Sequence, residues 1–271
     1  MTLQEAVEAT RIHSVAGVLA PGEPLLRRRP FRAPHHTVSD AGLVGGGGTP
    51  RPGEVSLAHN GVLFLDELPE YRRHVLEALR QPLEDGHVVL ARARISLRFP
   101  SKFVLVAAMN PCPCGFFGEV GDRCTCDPGL VTRYRNRVSG PLLDRVDLHV
   151  PVGRVRFQDL NAEEVGRESP GIRSRVNDAR SLQRTRFGGR NGVHCNGQMG
   201  PGEIRRFCVA SREVARLLQQ ALDRLGLSAR AYHRILKVAR TIADLDTAHE
   251  IEKAHVAEAI QYRNLDRASP L

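Results

Sequence analysis

The sequence predicts an α/β core built on a parallel sheet, followed by a small all-α domain. Three observations carry this reading. Val62-Leu63-Phe64-Leu65 is a continuous apolar run ending in Asp66-Glu67, with the length and composition of a strand buried in a parallel sheet. A second β-rich run, Phe103 to Ala108, ends in Met109-Asn110-Pro111. From Gly202 onward, apolar residues recur at helical spacing.

The chain has 271 residues, 41% of them hydrophobic, and this length favours a large domain and a small one. The net charge is +9, and Lys102, Lys237 and Lys253 are its only lysines, so nearly all the positive charge is guanidinium. Arginine suits phosphate and carboxylate partners held by paired hydrogen bonds. The balance fits nucleic acid binding, and a genome-wide arginine bias would give the same count. Aromatic residues make up only 5% and tryptophan is absent, which argues against base-stacking platforms. No run of 18 apolar residues and no apolar N-terminal signal core occur, so the sequence reads as soluble and cytoplasmic, without a membrane partner.

Residues 3 to 19 carry apolar side chains at helical spacing up to Pro21-Gly22, which predicts one short helix. Arg27 to His36 then leads into the glycine-rich stretch around Gly45 to Gly48, read as a mobile loop. After the Val62–Leu65 strand, Pro69 opens a helix with Val75, Leu76, Leu79 and Leu83 in one stripe, closing at Asp85-Gly86. Residues 88 to 97 are β-rich and partly alternating, a hairpin feeding the buried strand Phe103 to Ala108. Residues 161–200 are polar, arginine-rich and glycine-rich, a connector with a helix over Arg173 to Arg186. In 201–271, one stripe runs through Val214, Leu218, Ala221 and Leu225 and is closed by Gly226. A second runs through Ala231, Ile235, Ala239 and Ile242, and a third through Val256, Ala259 and Ile260.

A parallel strand at Val62–Leu65 delivers Asp66 and Glu67 to the carboxyl edge of the sheet, where open α/β sheets bind ligands. In P-loop ATPases the first such carboxylate holds hydrated Mg²⁺ and the second polarises the attacking water. The same residues also fit a buried strand and a charged turn. Asn110 is a polar amide at a second strand end, suited to orienting a phosphate or water, although an Asn before proline is by itself usually a turn former. Arg145, bracketed by Asp144 and Asp147, fits a structural ion pair or an arginine donated across a subunit interface. Cys112-Pro113-Cys114 and Cys124-Thr125-Cys126 are two C-x-C pairs nine residues apart, able to close a tetrahedral Zn²⁺ site, the alternatives being free thiols or disulfides. His194 beside Cys195 reads as a loop residue.

The carboxylate strand, the Ala107–Asn110 strand end and the Leu142-Leu143-Asp144-Arg145-Val146-Asp147 segment together resemble the AAA+ ATPases of the magnesium-chelatase and MCM helicase branch. Arg29-Pro30-Phe31-Arg32-Ala33-Pro34-His35-His36, Asn110-Pro111-Cys112-Pro113-Cys114-Gly115 and the string from Ala231 to Leu245 narrow the resemblance to the ComM/YifB group of magnesium-chelatase-like proteins. The resemblance implies an AAA+ P-loop-type core over 1–160 and a helical lid over 201–271. It implies ATP and Mg²⁺ as cofactors, with Asp66 ligating Mg²⁺ through water, Glu67 activating the hydrolytic water and Asn110 as the first sensor. Arg145 corresponds to the trans-acting finger and Arg230 to the second sensor arginine, with Arg234 and Arg240 nearby. It further implies hexameric rings acting on DNA branch migration, with inserts at about 36–58 and 86–100 facing the pore. Arg92, Arg94 and Arg98 are then the candidate DNA backbone contacts. Family members carry a Lon-protease-like domain and a glycine-lysine phosphate loop ahead of the matched region, and no segment here reads G-x-x-x-x-G-K-[ST]. The expectation is an N-terminally truncated core without its first strand and phosphate loop, binding ATP weakly or not at all by itself. The rival readings are a non-catalytic DNA- or partner-binding module with a zinc clip, and a magnesium-chelatase motor subunit.

Overall fold

The computed structural model describes residues 1–48, 50–92, 95–118, 123–153, 169–188, 193–226 and 228–263, the side chains of Arg92 and Ile95 excepted. Helix α1 (Leu3–Ala16) is started by a capping box in which Thr2 Oγ1 accepts from the Glu5 amide (3.2 Å) and Glu5 accepts from the Thr2 amide (2.6 Å). It stops earlier than the Pro21-Gly22 signal, because Gly17 at φ 73° takes the left-handed cap. His13 Nε2 lies 2.9 Å from the Leu57 carbonyl and anchors the helix.

Strand β1 (Phe31–Arg32) precedes a small helix α2 (Asp40–Leu43), a two-stranded ribbon of β2 (Gly45–Gly46) and β3 (Arg51–Pro52), and helix α3 (Glu54–Leu57). The glycine-rich stretch is thus a ribbon on either side of Thr49, which lies outside the described residues. Strand β4 (Val62–Leu65) pairs in parallel with β1 on one side and with a strand at Val104–Ala107 on the other. Gly61 is required at its start, where a Cβ would sit 2.0 Å from the Pro30 carbonyl oxygen.

After β4 comes a 3₁₀ turn (Leu68–Glu70), then α4 (Arg73–Ala78) and α5 (Arg80–Asp85) where one helix was expected. Pro82 explains the break. It lacks an amide and its ring crowds the carbonyl of Ala78, where α4 ends. Strands β5 (His87–Arg92) and β6 (Ile95–Pro100) form the expected antiparallel hairpin. Strand β7 (Val104–Ala107) completes the sheet order β1-β4-β7. It is not the buried strand expected: with β4 its only partner in this sheet among the described residues, Val104 is 62% exposed and Val106 43%. On the other side of the sheet, Leu63 and Leu65 pack with Leu43, Val55, Leu76 and Leu79. Helices α6 (Pro128–Arg135) and α7 (Gly140–Leu143) follow, and the chain to Arg145 forms one compact unit.

The second unit, Val146–Leu271, is helical: α8 (Ser169–Phe187), α9 (Pro201–Phe207), α10 (Arg212–Leu225), α11 (Ala229–Leu245) and α12 (Lys253–Gln261). Val214, Leu218, Ile235, Ala239, Val256 and Ala259, all on the expected stripes, make its core. Phe187 and Met199, in the stretch read as a connector, are buried in the same core. The fold is the mixed α/β class expected, a parallel sheet core followed by helices. Among the described residues no helix is long and apolar enough to cross a membrane.

Candidate functional site

The parallel register decides which side chains meet. Leu65 pairs with Ala107, the Ala108 amide donates to the Leu65 carbonyl (2.9 Å) and the Leu68 amide to the Ala108 carbonyl (2.9 Å). Asp66, one residue past β4, and Asn110, three past β7, therefore emerge at the same sheet edge, and both are exposed. Glu67 takes a left-handed backbone (φ 50°), which turns the chain sharply, and its amide donates to Asp66 Oδ1 at 2.8 Å.

The third strand brings a residue that the sequence reading passed over. Arg32 pairs with Leu63, so His36, four residues on, arrives beside Glu67, with His36 Nδ1 3.2 Å from Glu67 Oε2. Its ring lies tilted against His35 (centroids 4.0 Å apart) and meets Tyr71 edge-on. The Tyr71 hydroxyl donates to the Pro34 carbonyl (2.5 Å). Burial, and then the charges of Asp66 and Glu67, push the Tyr71 phenol up to about 12. Two exposed carboxylates side by side at a strand end are chemistry that suits a hydrated Mg²⁺. His36 was visible in the sequence as part of the Arg29–His36 string, but no periodicity marks where it goes.

Arg145 is drawn into its own unit, only 7% exposed, where its Nε donates to Glu84 (3.0 Å) and its Nη1 to the Pro141 carbonyl (2.7 Å). The structure thus shows the ion-pair arrangement for Arg145. In the second unit, Arg230 is exposed in the first turn of α11, Arg234 pairs with Asp147, and Arg240 is buried, donating to Asp244, His249 and Ala248. Arg98 is exposed on β6, opposite Val89, with its guanidinium 3.1 Å from His87. Arg94 and the side chain of Arg92 lie outside the described residues.

The cysteine box closes in space. Cys112 Sγ lies 3.3 Å from Cys114 Sγ and 3.8 Å from Cys124 Sγ, Cys114 lies 3.6 Å from Cys124, and all four sulfurs fall within 4.8 Å of one another. Four ligands on a tetrahedron with Zn–S of about 2.3 Å stand about 3.8 Å apart, whereas a disulfide requires about 2.05 Å. The thiols are free, and their spacing fits a tetrahedral thiophilic ion.

Comparison with known proteins identifies the family. Residues 1–160 match the family model described as "Magnesium chelatase, subunit ChlI", and residues 166–263 match "Magnesium chelatase, subunit ChlI C-terminal". The chain belongs to the magnesium chelatase ChlI family. Within it, the chain is 49% identical over 242 residues to "Competence protein ComM" of Haemophilus influenzae, covering 89% of this chain and 46% of that protein. It is 46% identical over 265 residues to YifB of Escherichia coli, covering 97% and 51% respectively. Likeness to "Magnesium-chelatase subunit ChlI-1, chloroplastic" of Arabidopsis thaliana is 28% over 114 residues, 42% of this chain and 22% of that protein. The chain spans about half the length of the ComM and YifB relatives it matches.

Proposed function

We propose that this chain carries the hydrolytic half of an ATP site in a ring-forming, DNA-acting motor of the ComM type. The observation that carries the reading is the convergence of Asp66, Glu67 and Asn110 on one sheet edge through the β4–β7 register. In that site Asp66 would hold Mg²⁺, Glu67 would act as the base for the hydrolytic water, and Asn110 would orient that water or the terminal phosphate. Bound Mg²⁺-ATP supplies the phosphoryl group and the cation that offsets its developing charge. Arg145 serves as the finger toward a neighbouring subunit after releasing Glu84, and Arg230 reads nucleotide state from the helical domain. Arg98, with Arg92 and Arg94, contacts DNA phosphates. The four cysteines hold Zn²⁺, for which their spacing is support.

These residues include no G-x-x-x-x-G-K-[ST] loop, so phosphate-cradling amides must be supplied with them. A titration with a fluorescent ATP analogue and Mg²⁺ tests this. The 271-residue chain alone is expected to show no saturable binding, and the chain joined to a phosphate-loop segment is expected to hydrolyse ATP, with Glu67→Gln abolishing turnover but not binding. Undiminished turnover in Glu67→Gln would remove Glu67 from its role. Saturable micromolar binding by the chain alone would show that another segment cradles the phosphates. A DNA- or partner-binding module without catalysis is the second reading, favoured by the exposed Arg98 hairpin, and DNA retention indifferent to nucleotide would select it. A magnesium-chelatase motor is the third, with a shorter and weaker match behind it.

A further inference from the structure

The four thiols lie at the two ends of one excursion of the chain. Cys112 and Cys114 follow Asn110 by two and four residues, at the exit of β7. Cys126 directly precedes Asp127, whose carboxylate caps α6 by accepting from the Leu130 amide (2.9 Å). Within the excursion, Gly115 and Gly118 stand at φ 83° and 81°, and Cys112 is the one buried hydrophobic residue among those described between Pro111 and Asp127. Such a segment has little apolar burial to hold it.

Helix α6 touches this excursion, and the residue two places past it reaches the turn beside the acidic edge. The Arg135 Nε donates to the Pro111 carbonyl (3.1 Å), next to Asn110, and its guanidinium lies 4.8 Å over the Phe117 ring. Just past the helix, Arg137 Nη1 donates to Glu70 (3.0 Å) and to the Pro69 carbonyl (3.3 Å), in the turn that follows Asp66-Glu67. Val131 and Tyr134 are the buried residues of α6.

We propose that a metal ion held by Cys112, Cys114, Cys124 and Cys126 is the tie that keeps Asn110 and the Asp66–Glu70 turn in register, acting through α6 and Arg137. The four cysteines and Arg137 are then positioning residues, not catalytic ones. The proposal rests on the zinc reading given above and adds to it a mechanical consequence. A four-thiolate zinc site contributes folding energy outright, and here that energy is delivered between a strand exit and a helix cap.

The test uses the full 271-residue chain. Metal content after purification without chelators is expected to be one zinc per chain, and a zinc-free chain that takes up no added zinc would overturn both the zinc reading and the tie. Hydrogen exchange by mass spectrometry then compares zinc-loaded and zinc-stripped protein. Exchange at 66–71 and 104–110 is expected to be about tenfold faster without zinc, with 201–263 unchanged. Faster exchange confined to 112–127 would overturn the tie and leave the zinc site standing. Arg137→Gln guards against general unfolding of the stripped protein, because it retains all four thiols. It is expected to keep one zinc, to speed exchange at 66–71, and by reciprocity to weaken zinc in competition with a chelator by the same factor, with Arg137→Lys recovering part of both. Unchanged exchange at 66–71 with unchanged zinc affinity in Arg137→Gln would overturn the tie on its own.

Discussion

Asp244 and Asp66 are both aspartates at the ends of regular elements, in environments that differ in kind. Asp244, in the last turn of α11, has a fully buried side chain and accepts from Arg186 (2.6 Å), Asn196 (2.7 Å) and Arg240 (3.0 Å). Asp66 is exposed at the mouth of the sheet, accepting from the next backbone amide. The buried carboxylate is saturated by its own chain and belongs to the scaffold. The exposed pair Asp66-Glu67 leaves acceptor capacity turned outward.

The largest expected effect tests this contrast directly. Asp244→Ala leaves Arg186 and Arg240 without their shared acceptor and should cost about 3–5 kcal/mol, read as loss of the helical unit's thermal transition. Asp66→Ala should change stability by no more than about 0.5 kcal/mol, while removing any Mg²⁺ dependence of nucleotide binding. Equal destabilisation by the two substitutions would erase the distinction.

A second contrast lies inside the sheet. Leu65, fully buried, and Val104, 62% exposed, are apolar residues of neighbouring strands on opposite sides of the sheet. Leu65→Ala is expected to cost about 2–5 kcal/mol in chemical denaturation, and Val104→Ala no more than about 0.5 kcal/mol. A large loss at Val104 in the isolated chain would mean that this side of the sheet is covered in solution.

Acid should separate the two units next. Burial pushes His59 below its ordinary value, outweighing the hydrogen bond and charge of Glu8 that favour the cation. A base held neutral in the fold contributes stability above its unfolded pKa near 6.5, and that stability is lost as pH falls through the lower folded value. Burial alone would raise Asp244, but hydrogen bonds from Arg186 and Asn196 and the charges of Arg240 and Arg186 hold it below the usual aspartate range. Its stability is present above about pH 4 and fades only as pH falls further. The sheet unit should therefore lose stability first on acidification, with His59→Gln flattening that limb. Melting curves in which the helical unit yields first would contradict the assignment.

The smallest expected effect is chemical. Burial pushes the Cys208 thiol up to about 11, so mass spectrometry after mild alkylation near neutral pH should find Cys208 unmodified while half-buried Cys195 reacts. Equal labelling would show that the helical core opens readily.

Much of this organisation was legible residue by residue. The Val62–Leu65 run announced a strand because uninterrupted apolar residues ending in carboxylates fit few other structures, and the stripes of α10, α11 and α12 announced helices because their period is long enough to average over exceptions. The two C-x-C pairs announced their own meeting through spacing alone. Strand β1, at two residues, has no period to detect, so His36 had no visible destination. The break between α4 and α5 was written in Pro82 but masked by an apolar stripe that continues across it. The burial of Arg240 was not visible, since nothing local shows that Asp244, Ala248 and His249 surround it.

The sequence by itself determined the longer strands and helices, where the carboxylate pair lies along the chain, and which thiols can share an ion, because these follow from local period and spacing. Tertiary structure alone decided that His36 meets Glu67, that β7 leaves Val104 and Val106 exposed, and that Arg145 turns to Glu84. Those outcomes depend on strand register and on which neighbours arrive from distant sequence, and a one-residue slip in register would send each side chain to the other face of the sheet.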